Sequence, residues 1–132
     1  MEVIEVGGMA EELVERVLEE GSTLDEVIAL DRVTRKYFEV RDGEKPLAYG
    51  GECAASLTSA QSVLWLVLAH KTFSLRELRR GLSLAREYLA SREGELFCEI
   101  NPASRPDARF ARSCGFTFLR ALSDREQYKW NA

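Results

Sequence analysis

The hydrophobic positions of the N-terminal part of the chain repeat at helical spacing. Between positions 9 and 18, apolar residues recur every three or four places, and Gly21 follows where a helix C-cap belongs. Ser22 and Asp25 have the spacing of a capping box, which predicts a second, shorter helix that ends near Val33. The sequence therefore begins with two amphipathic helices.

After the second helix the pattern becomes that of a β-sheet. Two strand-like runs, at 37–40 and 46–51, flank a turn rich in Asp, Gly and Pro, and this arrangement predicts a hairpin. Because glycine weakens the interior of a strand, Gly50 and Gly51 indicate a bulge or a close backbone approach near the end of the second strand.

A strand, a helix and another strand follow. The run Val63–Ala69 is apolar on both faces, which is typical of a central strand covered by helices. Ser74 is a suitable N-cap for a helix whose apolar stripe extends over 75–89, and Leu96–Ile100 has the pattern of the next buried strand. Such crossovers are right-handed and join parallel strands, so we expect these two strands to be parallel.

The end of the chain predicts a short helix and a strand pair. Ser104 and Asp107 have the spacing of another capping box, and Gly115 stands where the helix should end. The segments 116–122 and 127–130 are separated by a polar turn, so we expect them to form an antiparallel pair.

Composition limits the class of protein. With 132 residues, of which 45% are hydrophobic and 30% charged, the chain is sized for one domain spanning 1–132. Its longest apolar run is far shorter than the roughly 20 residues of a membrane helix, and the N-terminus has no signal-peptide pattern, so we expect a soluble protein without a membrane segment.

The cysteines and the single histidine are not spaced along the chain as metal ligands are. Cys53, Cys98 and Cys114 all lie in apolar surroundings, and none is spaced with another cysteine or with His70 as metal ligands are. We interpret them as buried small side chains of a reducing compartment and expect no metal site. A reactive thiol is the alternative, for which Cys53 is the best candidate because it follows the two glycines.

The net charge of -4 conceals an asymmetry along the chain. Residues 1–31 hold ten acidic residues against one arginine, whereas residues 71–92 hold six basic residues against two glutamates. Segregated charge of this kind suits protein docking or anion binding better than nucleic-acid binding, which usually involves a basic domain. Two solvated helix faces would give the same pattern.

The order of elements and several short motifs resemble the GNAT acyltransferase superfamily. The pair Gly115-Phe116 is similar to the end of that family's fourth helix. Within the superfamily the chain most resembles the degenerate GNAT-fold internal virion proteins of short-tailed phages. The residues that carry this closer resemblance are an acidic helical start, Pro46 to Gly51, the strand with Trp65, the arginine-rich helix 76–89, and Phe110 to Phe116.

The resemblance implies an α/β (α+β) fold with a mixed, mostly antiparallel sheet and helices on both faces. At its centre, a parallel strand pair splays apart to form the cofactor cleft. For the phage branch it implies other virion proteins as partners and a location in the virion or the host cytoplasm. We do not expect the protein to bind nucleic acid, and the resemblance does not predict an oligomeric state.

The cofactor-binding turn of the family is only weakly matched. GNAT enzymes bind the acetyl-CoA pyrophosphate with backbone amides of a Gln/Arg-x-x-Gly-x-Gly/Ala turn at a helix N-terminus, where free N-H groups and the helix dipole favour anions. The matching stretch here contains no glycine. Its candidate cofactor-binding residues are Lys71, Thr72, Phe73, Ser74 and Arg76.

The family's catalytic residues are also missing from their usual places. Ala111 and Ser104 occupy the positions of the general-acid tyrosine and of the helix-start asparagine. The nearest candidates for acid-base chemistry are Glu52 and His70, which flank the expected cleft. As single residues at strand ends, they are also explained as a solvated carboxylate and a structural hydrogen-bonding histidine.

Two functions remain in competition. The first is a phage structural or interaction protein that keeps the GNAT fold without its activity and uses no cofactor. The second is an acetyl-CoA-dependent N-acyltransferase with a non-standard pyrophosphate turn, in which a water chain replaces the missing base.

Overall fold

A seven-stranded mixed sheet organises the chain. The computed structural model describes residues 1–54, 61–70 and 72–130. In chain order the elements are β1 (Glu2–Val6), α1 (Glu11–Glu19), α2 (Leu24–Val33), β2 (Thr34–Asp42), β3 (Lys45–Ala54), β4 (Ser62–Leu68), α3 (Leu75–Ala90), β5 (Leu96–Ile100), α4 (Arg105–Cys114), β6 (Phe116–Ala121) and β7 (Glu126–Trp130).

The strand order is β1-β2-β3-β4-β5-β7-β6, and every neighbouring pair is antiparallel except β4 and β5. The predicted mostly antiparallel sheet with a central parallel pair is therefore confirmed. So are the hairpin of β2 with β3 and the final pair of β6 with β7.

The edge strand β1 is the one element that the sequence analysis does not predict. It pairs with β2 through Glu2 opposite Arg41 and Val6 opposite Tyr37. Its glutamates are exposed, and the valines and the isoleucine between them are half-buried. The β-branched residues Val3, Ile4 and Val6 are the signal for it, because such side chains are enriched in strands.

The N-termini of α2 and α4 do not form the capping boxes predicted from the sequence. Before α2 the box is formed by Thr23 and Glu26, one residue later than the predicted Ser22 and Asp25. Glutamate is the longer of the two acids and reaches back to the N-cap amide, which favours this register. Ser104 is the N-cap of α4, but its side chain makes no capping bond. The next residues include Pro106, which has no N-H to offer.

The glycine pair of β3 allows close approach on both faces of the sheet, as predicted. A Cβ at Gly50 would lie 2.4 Å from the Phe38 ring, and one at Gly51 would lie 2.7 Å from the Trp65 ring. The alternative prediction, a bulge at the glycines, is wrong. The register shifts of the hairpin lie between Thr34 and Lys36 and between Val40 and Arg41.

Helices cover both faces of the sheet. On one face Phe38 contacts Tyr88 of α3, and on the other the Thr34 hydroxyl donates to the Leu30 carbonyl of α2. The main buried cluster lies beneath α3 and α4 and consists of Leu89, Leu96, Ile100, Ala111, Cys114, Phe116 and Tyr128. Gly115 ends α4 with φ 109°, the left-handed conformation predicted for this cap.

The central strand β4 is less covered than its apolar sequence predicts. Leu66 and Leu68 are 37% and 42% exposed. The expectation of a strand buried on both faces is therefore wrong for its C-terminal half, where the neighbouring strand β5 no longer pairs with it.

The close approach at Gly50 gives a stability prediction. We expect Gly50→Ala to destabilise the fold by about 1–3 kcal/mol, because the new methyl group must displace the buried Phe38 ring. Urea denaturation measures the free energy of unfolding. Gly7→Ala is the matched control, since a Cβ there has no atom within 4 Å. Equal stability of the two variants would contradict the proposed packing.

Candidate functional site

The parallel pair at the centre of the sheet opens toward its C-terminal ends. β4 and β5 pair only through Ser62 with Leu96, Val63 with Phe97 and Leu64 with Cys98. Both strands continue beyond this point, to Leu68 and Ile100, without further pairing to each other. The strands therefore separate as predicted, and the opening is the natural position for a ligand.

The walls of this opening are apolar. Leu64 packs against the buried cluster beneath α3, and side chains alternate along a strand, so Leu66 and Leu68 lie on the same face of β4. On α3, Leu78 is 47% exposed. The opening thus presents leucines from a strand and from a helix to solvent.

The N-terminus of α3 is closed by a capping box. The Ser74 hydroxyl accepts from the Glu77 N-H at 3.1 Å, and the Glu77 carboxylate accepts from the Ser74 N-H at 3.0 Å. The prediction of Ser74 as the N-cap is confirmed. The role of Glu77 is not among the features predicted from the sequence, although Ser-x-x-Glu is the sequence signal for such a box.

The Glu77 carboxylate also binds Lys45, whose Nζ lies 3.2 Å from Oε2. The hydrogen bond from the Ser74 amide, followed by the one from Lys45, lowers the pKa of Glu77. The carboxylate is therefore ionised at neutral pH. It occupies the Ser74 amide and places a negative charge at the helix end where a cofactor pyrophosphate would bind.

The other residues of the candidate cofactor turn are spread around this end of α3. Phe73 is half-buried against the His70 ring, with the ring centroids 5.8 Å apart. Thr72 is exposed, and Lys71 lies outside the described residues. Arg76 is directed toward the β2–β3 turn, where it lines an open cleft of about 320 Å³ together with Met1, Asp42, Glu77 and Arg80.

His70 is attached to the hairpin. Its Nε2 lies 3.0 Å from the Pro46 carbonyl oxygen. Because a carbonyl only accepts, Nε2 must carry the proton and donate it. This contact ties the end of β4 to the start of β3, as expected of a structural histidine, and occupies one of the two ring nitrogens.

Glu52 is a buried residue rather than a solvated one. Its exposed fraction is only 4%, so the interpretation as a solvated strand-end carboxylate is wrong. Arg92 Nη2 lies 2.6 Å from Oε1, and the Tyr88 hydroxyl donates to Oε2 at 2.5 Å. Burial, and then the hydrogen bond to Glu52, raises the pKa of Tyr88. The cluster fastens the end of α3 to β3.

The three cysteines are free and shielded. Cys53 is buried, with its sulfur 3.4 Å from the Thr34 hydroxyl. Burial raises the pKa of Cys98 to about 12 and that of Cys114 to about 11. A thiolate is the reactive form of cysteine, so these two thiols are unreactive at neutral pH.

Across 1–54, 61–70 and 72–130, no three side chains of His, Cys, Asp or Glu come together to hold a metal ion. None of the helices in this part of the chain has the length and apolar character needed to cross a membrane.

No protein-family model matches the sequence, and no curated protein does either. Solved structures do match in fold. An acetyltransferase from Bacillus subtilis in complex with CoA has a TM-score of 0.72 at 8% identity, with 99% of this chain and 98% of that chain covered. An acetyltransferase from Thermus thermophilus has a TM-score of 0.67 at 16% identity, with 98% of this chain and 96% of that chain covered.

A third match, the N-acetyltransferase PseH from Campylobacter jejuni, has a TM-score of 0.62 at 9% identity and covers 97% of this chain and 95% of that chain. At these identities the likeness concerns the fold alone. The chain has a mixed α/β, GNAT-like fold.

The Glu52 cluster gives a second stability prediction. We expect Glu52→Gln to cost about 3 kcal/mol in unfolding free energy, because it leaves Arg92 without its buried counter-charge. The matched control is Glu20→Gln, which removes the exposed ion pair with Arg16 and should cost less than about 1 kcal/mol. Chemical denaturation of both variants measures the difference. A Glu52 variant as stable as the control would show that the carboxylate is not a structural element.

Proposed function

We propose that this chain is a docking protein with a GNAT-like fold that does not use acetyl-CoA. The observation that carries the proposal is the Glu77 carboxylate at the start of α3. It uses the Ser74 amide, and its negative charge opposes a pyrophosphate at the same helix end. The absence of glycine from the turn adds a steric obstacle, since side chains prevent close approach of a phosphate to the backbone.

The positions expected to support catalysis agree with this proposal. Ala111 is buried in the apolar cluster and has no proton to give. Glu52 is held by Arg92 and Tyr88, and His70 donates to a backbone carbonyl. Each polar candidate near the opening is thus engaged in holding the fold together.

In its finer form, the proposal is that the chain is a virion component of a short-tailed phage and contacts other virion proteins there. Its support is the resemblance carried by the segment Pro46 to Gly51, the strand with Trp65 and the arginine-rich α3, together with the segregation of acidic and basic surface. The corresponding location is the virion or the host cytoplasm during assembly.

An acetyl-CoA-dependent N-acyltransferase is the second candidate. One observation favours it, the opening between β4 and β5 with the exposed leucines Leu66, Leu68 and Leu78. The B. subtilis protein of similar fold is described in complex with CoA. If this chain binds a CoA thioester, the apolar walls would contact its uncharged arm.

Calorimetric titration with acetyl-CoA separates the two candidates. We expect the unmodified chain to bind more weakly than about 1 mM, which corresponds to roughly -4 kcal/mol. Glu77→Gln should bind more tightly, because glutamine keeps the capping box but removes the charge that opposes phosphate. Glu87→Gln, on the same helix, makes the same change of net charge as a control. A low micromolar dissociation constant for the unmodified chain would favour the acyltransferase.

The virion proposal has a separate test. We expect mass spectrometry of gradient-purified particles to detect the chain at a fixed number of copies per particle. Treatment of intact particles with protease should leave an internal component uncut. Absence from particles that are otherwise complete would contradict the virion assignment without bearing on acetyl-CoA.

A further inference from the structure

We propose that copies of this chain associate head to tail, with the acidic outer face of α1 on one copy against the basic outer face of α3 on the next. The inference rests on the proposed docking function and names its partner as a second copy. The two faces are defined here as the acidic stripe (Glu11, Glu15, Glu19) and the basic stripe (Arg76, Arg79, Arg80).

The acidic stripe lies on the exposed side of α1. Its three glutamates are four residues apart, so they follow one side of the helix, and all three are exposed. Leu13, on the opposite side, is only 3% exposed and anchors the helix to the sheet. Beside the stripe, Leu18 adds an apolar side chain that is 38% exposed.

The basic stripe lies on the exposed side of α3. Its three arginines occupy the first two turns, and Leu89 and Tyr88 on the inward side hold the helix to the sheet. No ion pair found in the described part of the chain involves any of the three arginines. Leu75, which precedes Arg79 by one helical turn, is 64% exposed beside them.

The two stripes are complementary in sign. Three carboxylates follow the outer side of α1, and three guanidinium groups lie on the outer side of the first two turns of α3. Guanidinium groups bind carboxylates in paired hydrogen bonds, which gives such a contact geometric preference as well as attraction. Leu18 and Leu75, which flank the two stripes, add apolar surface beside the charges.

The stripes cannot form a closed dimer through a single two-fold contact. Tyr49 lies near Glu12 and Arg16 of α1, on the face of the sheet opposite Phe38, which contacts Tyr88 of α3. α1 and α3 therefore cover opposite faces, so a contact of one stripe with the other leaves a free stripe on each copy. Contacts of this heterologous kind extend into rings or open chains. The association should also weaken as salt screens the charges.

Sedimentation velocity of the purified chain over a range of concentrations tests the proposal. At 50 mM NaCl we expect the mean sedimentation coefficient to rise with concentration, and at 500 mM NaCl we expect it to return to the monomer value. Arg79→Glu/Arg80→Glu should weaken the low-salt association about tenfold or more, because like charges then face each other. Arg105→Glu/Arg109→Glu changes the net charge equally on exposed positions of α4 and should leave it unchanged.

A mixing experiment makes the test specific. Glu15→Lys/Glu19→Lys alone should likewise associate about tenfold or more weakly than the unmodified chain. An equimolar mixture with Arg79→Glu/Arg80→Glu should regain the association, since each variant then offers the charge that the other lacks. Circular dichroism confirms that each variant is folded. A monomer at all concentrations in low salt, or a mixture that stays monomeric, would overturn the self-association. If self-association fails these tests but Arg79→Glu/Arg80→Glu is absent from purified particles, the proposed docking function would stand with a different protein as the partner.

Discussion

The short parallel ladder between β4 and β5 is the constraint on which the rest of the structure depends. Where the two strands pair, Leu64 joins the buried cluster with Leu89 and Leu96. Where they separate, Leu66 and Leu68 remain partly exposed. α3 connects the two strands and spans both regions, so its C-terminal half is packed and its N-terminal half borders the opening. One end of a single helix is thereby structural, and the other is available for binding.

At the N-terminus of α3, the interactions that would attract a phosphate are made by a side chain of the protein itself. Free amides and the helix dipole favour an anion at the start of α3. Here that anion is the carboxylate of Glu77, delivered by the chain itself and held in place by Lys45. An intramolecular carboxylate has a large advantage over a dissolved ligand, because it loses little freedom when it binds. The capping box and the missing glycines therefore both disfavour phosphate binding at the start of α3.

The sequence predicts those features that depend on local patterns. The long α3, the apolar β5 and the Gly115 cap follow from periodicity and from the conformational freedom of glycine, and all are present. β1 is too short and too acidic to stand out, because edge strands are often short and carry charged residues. The capping box begins at Thr23 and not at Ser22 because the sequence contains two such boxes, Ser22 with Asp25 and Thr23 with Glu26, one residue apart.

The candidate site is less predictable because it depends on contacts between distant residues. Neither Tyr88 nor Arg92 is near Glu52 in sequence, so nothing local indicates that this carboxylate is buried. The partial exposure of β4 likewise depends on where β5 stops pairing. By contrast, Ser74 and Glu77 are three residues apart, and their interaction is predictable from the sequence.

The distribution of satisfied and unsatisfied charges supports the proposed docking role. Groups that act in catalysis must be free to exchange protons with a substrate, and so they need a position within reach of it. The Glu52 carboxylate lacks this freedom, since Arg92 and Tyr88 hold both of its oxygens, whereas His70 has only Nε2 bound, to the Pro46 carbonyl. Arg79 and Arg80 have no ion pair in the described part of the chain. Because the fold does not need these outer charges, binding through them would leave the packed interior unchanged, which is the property required of a docking surface.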